Sequence, residues 1–368
     1  MFELTILKQD LLGPLLTVVG AVGKKQSNPL LSHVLFTLNH NQLLLTATDL
    51  EIEISAHVAC SANQDHGSMT VPAKKMVDII RSLDDTARPC FQCQDGVVSI
   101  REGRSLFKLA TLPAEDYPKT QEDACHFELT IPTAALTRLL LSTYFALSQQ
   151  DVRIFLNCLL LDVDAKGITA VGTDAHRMAI AHLPLVESHP ACRLLIPRRG
   201  IQEMQRLMAA IPDEQVILSA GKNQVKLTTQ QYVFSSKLVE SRFPVYEKAI
   251  PHAQNKEIII ERDSLKRALL RIIILAHEQS RAVMLHLQPG VITLIAKNQD
   301  QEEAVESLEA MTKGDELKIG VNATFLLDVL NYFDEGPVRL SFSTTNSSIL
   351  ITSLNDKYYQ YIIMPMKV

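Results

Sequence analysis

Short runs in which apolar and polar residues alternate recur along the chain, separated by Asn, Asp and Gly. Residues 33–38, 42–46 and 51–58 are three such runs. Successive side chains of a strand point to opposite faces, so the runs are predicted to be antiparallel strands. Longer segments with helical apolar spacing follow short extended runs and predict helices. Three of the predicted helices span residues 10–22, 133–147 and 263–276, with Asp10, Thr133 and Asp263 as their N-caps.

The same order of elements occurs three times. Residues 70–80 read TVPAKKMVDII, and 125 positions later residues 195–204 read LIPRRGIQEM around the matching proline. Another 125 positions on, GVNATFLLDVL at 320–330 again places a strand before a helix start and an amphipathic helix. A second marker, LTATD, returns as AVGTD and more weakly as LIAKN, which spaces Thr48, Thr173 and Asn298 by 125.

The 368 residues are therefore predicted to form three modules of one design. Each module holds two helices and about eight strands, which makes an α+β fold with helices packed on antiparallel sheets. Pro and polar residues interrupt the pattern near residues 117–119 and 243–246. The predicted domains are residues 1–119, 127–246 and 247–368.

Composition narrows the class of protein. Lys and Arg number 36 against 41 Asp and Glu, so the formal charge is −5 and a uniformly basic nucleic-acid coat protein is excluded. A localised basic stripe remains compatible with this total. Residues 11–22 are apolar, but an acidic preceding segment and Pro14 argue against a signal peptide or membrane span, so a cytoplasmic chain is expected.

Six cysteines are too few and too scattered for a disulfide scaffold of this length. Cys90 and Cys93 form one C-x-x-C within an alternating run, where an odd offset places them on opposite faces of a strand. Without a second cysteine pair they are interpreted as small core or surface residues. No metal and no cofactor are expected.

One polar cluster, TDAHR at 173–177, has three interpretations. Asp174 and His176 could be metal ligands or an acid–base pair of a hydrolase, since residues two apart in a strand share a face. No third ligand or nucleophile lies nearby in sequence. The alternatives are a capped turn after a strand, with Arg177 in a salt bridge, and a recognition surface.

The chain ends in YIIMPMKV. A strand that finishes in two methionines around a proline offers a soft apolar surface beside free backbone, which suits a groove for a partner peptide. Core packing of the same residues is the alternative.

These features occur together with QDVR at 150–153, LVESRFP at 238–244 and MPM at 364–366. In this combination the chain resembles the beta sliding clamps of bacterial DNA polymerase III from its first residues to its last. The resemblance implies a homodimer closed head to tail into a ring of six modules, through which duplex DNA passes. It implies a non-catalytic processivity factor that tethers the polymerase III catalytic subunit, the clamp-loader complex, and other polymerases and repair proteins, with no membrane partner. A non-DNA scaffold using the same groove is the alternative.

The distribution of charge agrees with a ring around DNA: the six predicted helices carry a net charge of +7, which leaves −12 for the rest of the chain. Three sets of site residues follow from the resemblance. DNA-facing positions are Lys25, Lys74, Gln150, Arg198 and Arg199. The peptide groove is Leu156, Thr173, Ala175, His176, Arg177, Met178, Pro244, Lys248, Ala249, Ile362, Met364, Pro365 and Met366. The subunit interface is Lys75, Arg101, Arg104, Phe107 and Leu109 against Ile274, Leu275, Asp300, Glu302, Glu303 and Glu306.

The chain also departs from the family pattern. Ala175 stands where Gly is common, and Lys248 with Ala249 replaces a more usual Arg-Val. Both changes leave an apolar pocket but are expected to alter the peptide preference. Val97 and Leu106 occupy positions that are basic in relatives, so fewer ion pairs are expected at the subunit interface.

Overall fold

The computed structural model describes residues 2–23, 28–118, 120, 123–185, 187, 189–212, 214–251 and 254–367. This part of the chain contains six α-helices and 26 strands, and each repeat contributes two helices and eight or nine strands. The predicted α+β architecture of three similar modules is confirmed. None of the helices in the described ranges is long and apolar enough to cross a membrane.

The helices come in pairs, one pair per module. They are α1 Lys8–Val18, α2 Ala73–Ser82, α3 Thr133–Tyr144, α4 Arg198–Ala209, α5 Arg262–Ile272 and α6 Ala323–Leu330. Each buries one stripe: in α5 the buried side chains are Leu265, Ala268, Leu269 and Ile272, the spacing of a helix with one apolar face. A Leu or Ile buried in this way contributes about 1.5–3 kcal/mol.

The strands of the first module are β1 Phe2–Thr5, β2 His33–Asn39, β3 Gln42–Thr48, β4 Ile52–Ala59, β5 Ser61–Ala62, β6 His66–Pro72, β7 Cys90–Gln94, β8 Val97–Glu102 and β9 Ser105–Ala110. Those of the second are β10 Phe127–Pro132, β11 Cys158–Asp164, β12 Gly167–Thr173, β13 Arg177–Pro184, β14 Cys192–Pro197, β15 Gln215–Ala220, β16 Gln224–Thr228 and β17 Tyr232–Lys237. Those of the third are β18 Lys256–Glu261, β19 Ala282–Gln288, β20 Val291–Lys297, β21 Glu303–Glu309, β22 Met311–Lys313, β23 Leu317–Asn322, β24 Pro337–Phe342, β25 Ile349–Ser353 and β26 Tyr359–Ile363.

The three predicted N-caps are wrong by one to three residues. α1 already begins at Lys8 and α5 at Arg262, so Asp10 and Asp263 lie inside the first turn, where an acidic side chain favours the positive end of the helix dipole. Thr133 is itself the first residue of α3, and its hydroxyl donates to the Glu214 carbonyl at 2.7 Å. β10 and β18 run directly into α3 and α5, whereas two residues separate β1 from α1. The residues just before α1 and α5, Leu7 and Glu261, make no capping hydrogen bond through their side chains.

The chain folds into two compact units, and strand pairing joins neighbouring modules inside each. The first unit, residues 1–136 and 199–238, has sheets ordered β5-β1-β7-β8-β9 and β10-β15-β16-β17-β4-β3-β2-β6. In its longer sheet, β17 of the second module pairs with β4 of the first, with Ser236 opposite Ile52.

The second unit comprises residues 137–198 and 239–368. Its sheets are ordered β14-β11-β12-β13-β26-β25-β24-β18-β22 and β21-β20-β19-β23. Here β26 of the third module pairs with β13 of the second, and Ile363 lies opposite Arg177. The last strand of the chain therefore lies beside the strand that follows the TDAHR cluster, which positions the candidate groove.

Candidate peptide groove, DNA contacts and subunit interface

The cluster at 173–177 is a tightly bonded turn between β12 and β13. Asp174 Oδ1 accepts from the backbone N–H groups of His176 and Arg177, both at 2.9 Å. The Thr173 hydroxyl accepts from the Ala175 N–H and donates to the Arg177 carbonyl at 2.7 Å. Ala175 has φ +72°, the left-handed region that favours glycine, so the backbone here suits the glycine that the resemblance led us to expect.

Asp174 is committed to this turn. Its second oxygen, Oδ2, accepts from Arg177 Nε at 3.1 Å, so both carboxylate oxygens are engaged. Three of its roughly four lone-pair positions are therefore occupied within the turn, which leaves little capacity for a metal or a proton transfer. The arrangement matches the capped turn with a salt-bridged Arg177 and gives no support to a hydrolase centred on Asp174 and His176.

The Arg177 guanidinium is enclosed, with its side chain 12% exposed. Besides Asp174, it donates through Nη1 to Asp328 on α6 and through Nη2 to the Phe145 carbonyl at 2.9 Å. Its central carbon lies 4.4 Å from the centre of the Phe325 ring and 5.2 Å from that of Phe145. Arg177 therefore joins the turn of the second module to a helix of the third.

The C-terminal tail is fixed beside this turn. Met178 pairs with Ile362 across β13 and β26. Beyond the strand, the Met364 N–H donates to the His176 carbonyl at 2.9 Å and the Met366 N–H to Gly320 at 2.8 Å. The Met364 side chain is nevertheless 50% exposed. The tail thus combines a fixed backbone with an accessible apolar side chain.

A cavity of about 240 Å³ opens beside the tail. Four predicted groove residues line it, namely His176, Met364, Pro365 and Met366. The same cavity is lined by Gln279, Ser280, Asn322 and Phe325, which the sequence analysis missed. Asn322 carried a signal, because it stands where the repeat places a helix start, and its side chain accepts from the N–H groups of Thr324 and Phe325 at the start of α6.

A second group of predicted groove residues belongs to an apolar cluster on one face of the long sheet. It contains Met178 and Ile362 together with Leu160, Phe243 and Tyr246. Leu156 is buried, whereas Pro244, Lys248 and Ala249 are exposed on the segment that packs on this cluster through Phe243 and Tyr246. All thirteen predicted groove residues fall within the second unit.

The QDVR motif is an ordered loop. Asp151 accepts from the backbone N–H of Arg153 at 2.8 Å and from its Nε and Nη2 at 3.0 Å. These hydrogen bonds to Arg153 lower the pKa of Asp151 to about 2, and the charge of His176 contributes in the same direction. Gln150, just before this pair, is exposed.

The predicted DNA-facing residues differ in their exposure to solvent and in their contacts with the rest of the chain. Lys74 and Gln150 are exposed. Arg198 donates to the Leu147 carbonyl at 2.9 Å and lies 4.4 Å from the centre of the Tyr144 ring. Arg199 forms an ion pair with Asp49, whose side chain is 3% exposed. Lys25 lies outside the described residues. Of the four described residues, Arg198 and Arg199 are therefore already engaged within the chain.

The predicted interface residues form one group in the first module and one in the third, and only Phe107, Leu109, Glu303 and Glu306 lie on the edge strands β9 and β21. In the first module Lys75, Arg101 and Arg104 are exposed, Phe107 is half-buried and Leu109 is buried. In the third module one depression of about 490 Å³ brings together Ile274, Leu275, Asp300 and Glu302. Glu303 and Glu306 already pair within the chain, with Lys297 at 3.1 Å and with Arg271 at 2.6 Å.

The repeat marker needs one correction. In the first module the Asp49 side chain accepts from the N–H groups of Glu51 and Ile52, as Asp174 does in the second. In the third, Asn298 is the accepting residue, and its side chain receives the N–H groups of Asp300 and Glu302. Asn298 is therefore equivalent to the two aspartates rather than to Thr48 and Thr173, and its turn is one residue longer.

The apolar groove suits the binding of a partner, and the turn around Asp174 gives no support to catalysis. The three repeated α+β modules therefore have the features of a binding protein. The DNA polymerase III beta subunit family matches throughout: its N-terminal domain model at residues 2–121, its central domain model at 130–245 and its C-terminal domain model at 247–367. The beta sliding clamp of Vibrio cholerae is 36% identical over 99% of this chain and 100% of its own length. That of Pseudomonas putida is 37% identical over 99% of both chains.

Solved structures agree. A sliding clamp, the DNA polymerase III subunit beta of Pseudomonas aeruginosa bound to griselimycin, has a TM-score of 0.96 at 36% identity and covers 100% of both chains. The polymerase III beta subunit of Caulobacter crescentus has a TM-score of 0.95 at 31% identity with the same coverage. The chain belongs to the family of bacterial DNA polymerase III beta subunits, the beta sliding clamps. The predicted family, clamp fold and role as a DNA sliding clamp and processivity factor, rather than an enzyme, are confirmed.

Proposed function

We propose that two copies of this chain close head to tail into a ring around duplex DNA, and that each copy holds a partner protein through its groove. The observation that carries the proposal is a pair of complementary sheet edges. Among the described strands, β9 pairs only with β8 and β21 only with β20. An unpaired edge strand invites pairing with another chain, and a head-to-tail contact that closes on itself forms a ring.

The two edges are complementary in charge and in apolar surface. The β9 edge carries Lys108, with Arg101 and Arg104 close to it in sequence, whereas β21 carries Glu303, Glu306 and Glu309. Large apolar side chains stand exposed at both ends: Leu106 on β9, Val305 on β21 and, 74% exposed, Ile274. Exposed apolar groups rimmed by charge are typical of a surface that another protein covers.

Helix charge supports non-specific binding to DNA. With the observed bounds, the six helices carry +7, the same value as the predicted spans, while the whole chain carries −5. Positive helices facing phosphates give attraction without sequence readout, and weak contacts permit sliding. Lys74 and Gln150 are the exposed candidates. Arg199 is expected to contribute less, because Asp49 already compensates its charge.

The groove in the second unit suits short peptides with apolar anchors. His176, Phe325 and Met364 line an opening of about 240 Å³, large enough for apolar side chains, and the apolar cluster around Ile362 supplies further apolar surface in the same unit. The proposed ligands are segments of the polymerase III catalytic subunit, of the clamp loader, and of other polymerases and repair proteins. Methionines adapt to different side chains, which suits a groove shared by several partners.

Ring closure is tested by retention on DNA. The protein loaded onto nicked circular DNA by a clamp loader should stay bound during gel filtration and should be lost after the circle is cut once. Equal loss from both forms would contradict a ring. A non-DNA scaffold using the same groove would show no retention on either form and no dependence on salt.

The interface has its own test. The chain has a mass of 41.0 kDa, so the wild-type should run at about twice that mass as a C2 dimer. Ile274→Asp should produce the monomer, because a charge would be buried at the apolar contact. Leu270→Asp, at another exposed apolar position four residues earlier, on α5, is the matched control and should remain dimeric.

A further inference from the structure

We propose that Arg177 and Asp328 are positioning residues of the peptide groove, which hold two of its walls at a fixed separation without contacting the peptide. The inference rests on the proposed function, because it concerns the same groove. It differs from the sequence-based assignment, which took Arg177 for a lining residue, and it adds Asp328, which no sequence pattern marked.

The two walls come from different modules. One is the turn that carries His176, and the other is the start of α6, which carries Asn322 and Phe325. Both line the cavity of about 240 Å³. The width of the cavity therefore depends on where α6 sits relative to the turn within this unit.

Arg177 connects these walls. It is anchored to its own turn through Asp174 and bonded to α6 through Asp328. Phe325, one turn before Asp328 on α6, presents its ring to the guanidinium at 4.4 Å and also lines the cavity. Arg177 thus packs against a wall residue that the peptide would touch.

Arg177 itself is poorly placed to bind a peptide. Each of its three nitrogen atoms already has an acceptor, from Asp174, Asp328 and the Phe145 carbonyl. A planar guanidinium held in this way, with its central carbon 4.4 Å and 5.2 Å from the centres of two aromatic rings, fixes geometry more strongly than a flexible ammonium would. Arg177 is also absent from the residues that line the cavity.

Asp328→Asn is the sharpest variant, because it keeps the shape of the side chain and removes only the charge that holds Arg177. Its matched control is Asp334→Asn, which breaks another ion pair between the same two modules, Arg138 to Asp334 at 2.8 Å, at residues that do not line the cavity. Both full-length proteins are titrated with a fluorescent peptide from the polymerase III catalytic subunit, and with versions of it in which each apolar residue in turn is alanine.

Asp328→Asn is expected to weaken binding of the intact peptide about tenfold, a coupling of the size seen between contacting residues. Affinity for the peptide that lacks the cavity-filling residue should stay unchanged, because that peptide does not use the cavity. Asp334→Asn should bind both peptides like the wild-type. Arg177→Lys should behave like Asp328→Asn, and combining the two should add little further loss.

The outcomes separate the two proposals. If the wild-type fails to bind the peptide, the proposed function of the groove is wrong and the positioning role falls with it. If the wild-type binds and Asp328→Asn binds equally well, only the positioning role is overturned. An equal loss for intact and truncated peptides, with a lowered melting temperature, would also overturn it, since that pattern indicates general destabilisation.

Discussion

The first and second modules carry the same turn in different surroundings. In both, a Thr and an Asp close the turn through their side chains, and the third residue has a positive φ: +77° at Leu50 and +72° at Ala175. In both, a backbone N–H at the end of a neighbouring strand donates to a carbonyl of the turn at 2.9 Å. At the end of β17 the Lys237 N–H donates to Glu51, and just after β26 the Met364 N–H donates to His176. The backbone design is thus repeated inside one chain.

The side chains at these equivalent positions differ in chemistry. Lys237 and Glu51 form a salt bridge at 3.2 Å, and Glu53 accepts a hydrogen bond from Thr120. The equivalent surface in the second unit instead presents His176 and Met364 beside an open cavity. The comparison teaches that one scaffold yields a polar surface with a salt bridge in one place and an apolar groove in the other, so a single groove per chain is expected.

The aspartates of the two turns, Asp49 and Asp174, also pair with different arginines. Asp49 receives Arg199 from the first turn of α4, whereas Asp174 receives Arg177 from its own turn. Arg177 serves a second carboxylate as well, that of Asp328. The second turn is therefore linked to its neighbouring helix through one arginine with two acidic partners.

The largest expected effect is on the groove. Deleting residues 364–368 should abolish binding of the polymerase peptide, because the tail supplies one wall of the cavity. The dimer should persist at about twice 41.0 kDa. The double variant Glu51→Ala with Lys237→Ala is the control at the other turn and should leave peptide affinity intact. Peptide binding by the truncated chain would show that the groove lies elsewhere.

A second difference concerns stability. Arg177→Ala leaves two carboxylates without their cation in a largely enclosed site, and we expect a loss of about 4 kcal/mol in the free energy of unfolding. Arg199→Ala leaves one, and because the Arg199 side chain is 42% exposed, about 2 kcal/mol is expected. Chemical denaturation measures both losses.

Asp49→Asn provides the control for this pair of variants. In a protein that already carries Asp49→Asn, adding Arg199→Ala should lower the free energy of unfolding by almost nothing more. Equal losses for Arg177→Ala and Arg199→Ala would break the distinction between the two turns.

The helix that neutralises Asp49 also buries an acid. Burial raises the pKa of Glu203, and Arg206 only partly opposes this from 3.6 Å. Because the folded protein binds this proton more tightly than the unfolded chain, the contribution of Glu203 to stability falls as the pH rises from 4.5 through its higher native pKa. Glu203→Gln should therefore raise the free energy of unfolding by about 1 kcal/mol at pH 7.

The same substitution should have almost no effect at pH 4, where the carboxyl is largely protonated in both states. A gain that is independent of pH would exclude buried charge as its cause. Asp328→Asn, at the equivalent acid of α6, should destabilise at pH 7 because its carboxylate is paired with Arg177.

The smallest effect concerns the backbone. A residue with a Cβ in the left-handed region is less stable there than glycine by about 1 kcal/mol. Ala175→Gly and Leu50→Gly should each raise the melting temperature by a few degrees, given the usual relation between stability and midpoint. Only Ala175→Gly lies at the groove, so only it is expected to change peptide affinity. No gain at either site would mean that neighbouring contacts already relieve the strain.

Much of the local structure could be predicted from the pattern of residues. Alternating runs gave β2, β3 and β4 to within two residues, because a half-buried strand must alternate. The N-caps were wrong, since α1 and α5 begin directly after Leu7 and Glu261, which places Asp10 and Asp263 inside the first turn rather than before it. The Asn298 marker was misaligned by one residue because the strands that precede it, β19 and β20, lie 124 positions after β11 and β12, and the additional residue of the third turn comes only after Asn298.

Of the candidate site, the residues close in sequence were the easier part. The turn at 173–177 and the tail at 364–366 can each be recognised in the sequence as a short motif. No sequence pattern marks Phe325, Gln279 or Asp328. Each lies in an ordinary helix or loop segment and becomes part of the groove only through packing.

By itself, the sequence determined the number of modules, their two helices and strand runs, the capped turns and the family, because all of these depend on local spacing and on repetition along the chain. Only the tertiary structure decided which arginine neutralises which aspartate and which strands join across modules. Arg177 and Asp328 are 151 positions apart, and Arg199 and Asp49 are 150. No periodicity encodes such pairs, because they form only when sheets from neighbouring modules merge and bring their turns and helices into contact.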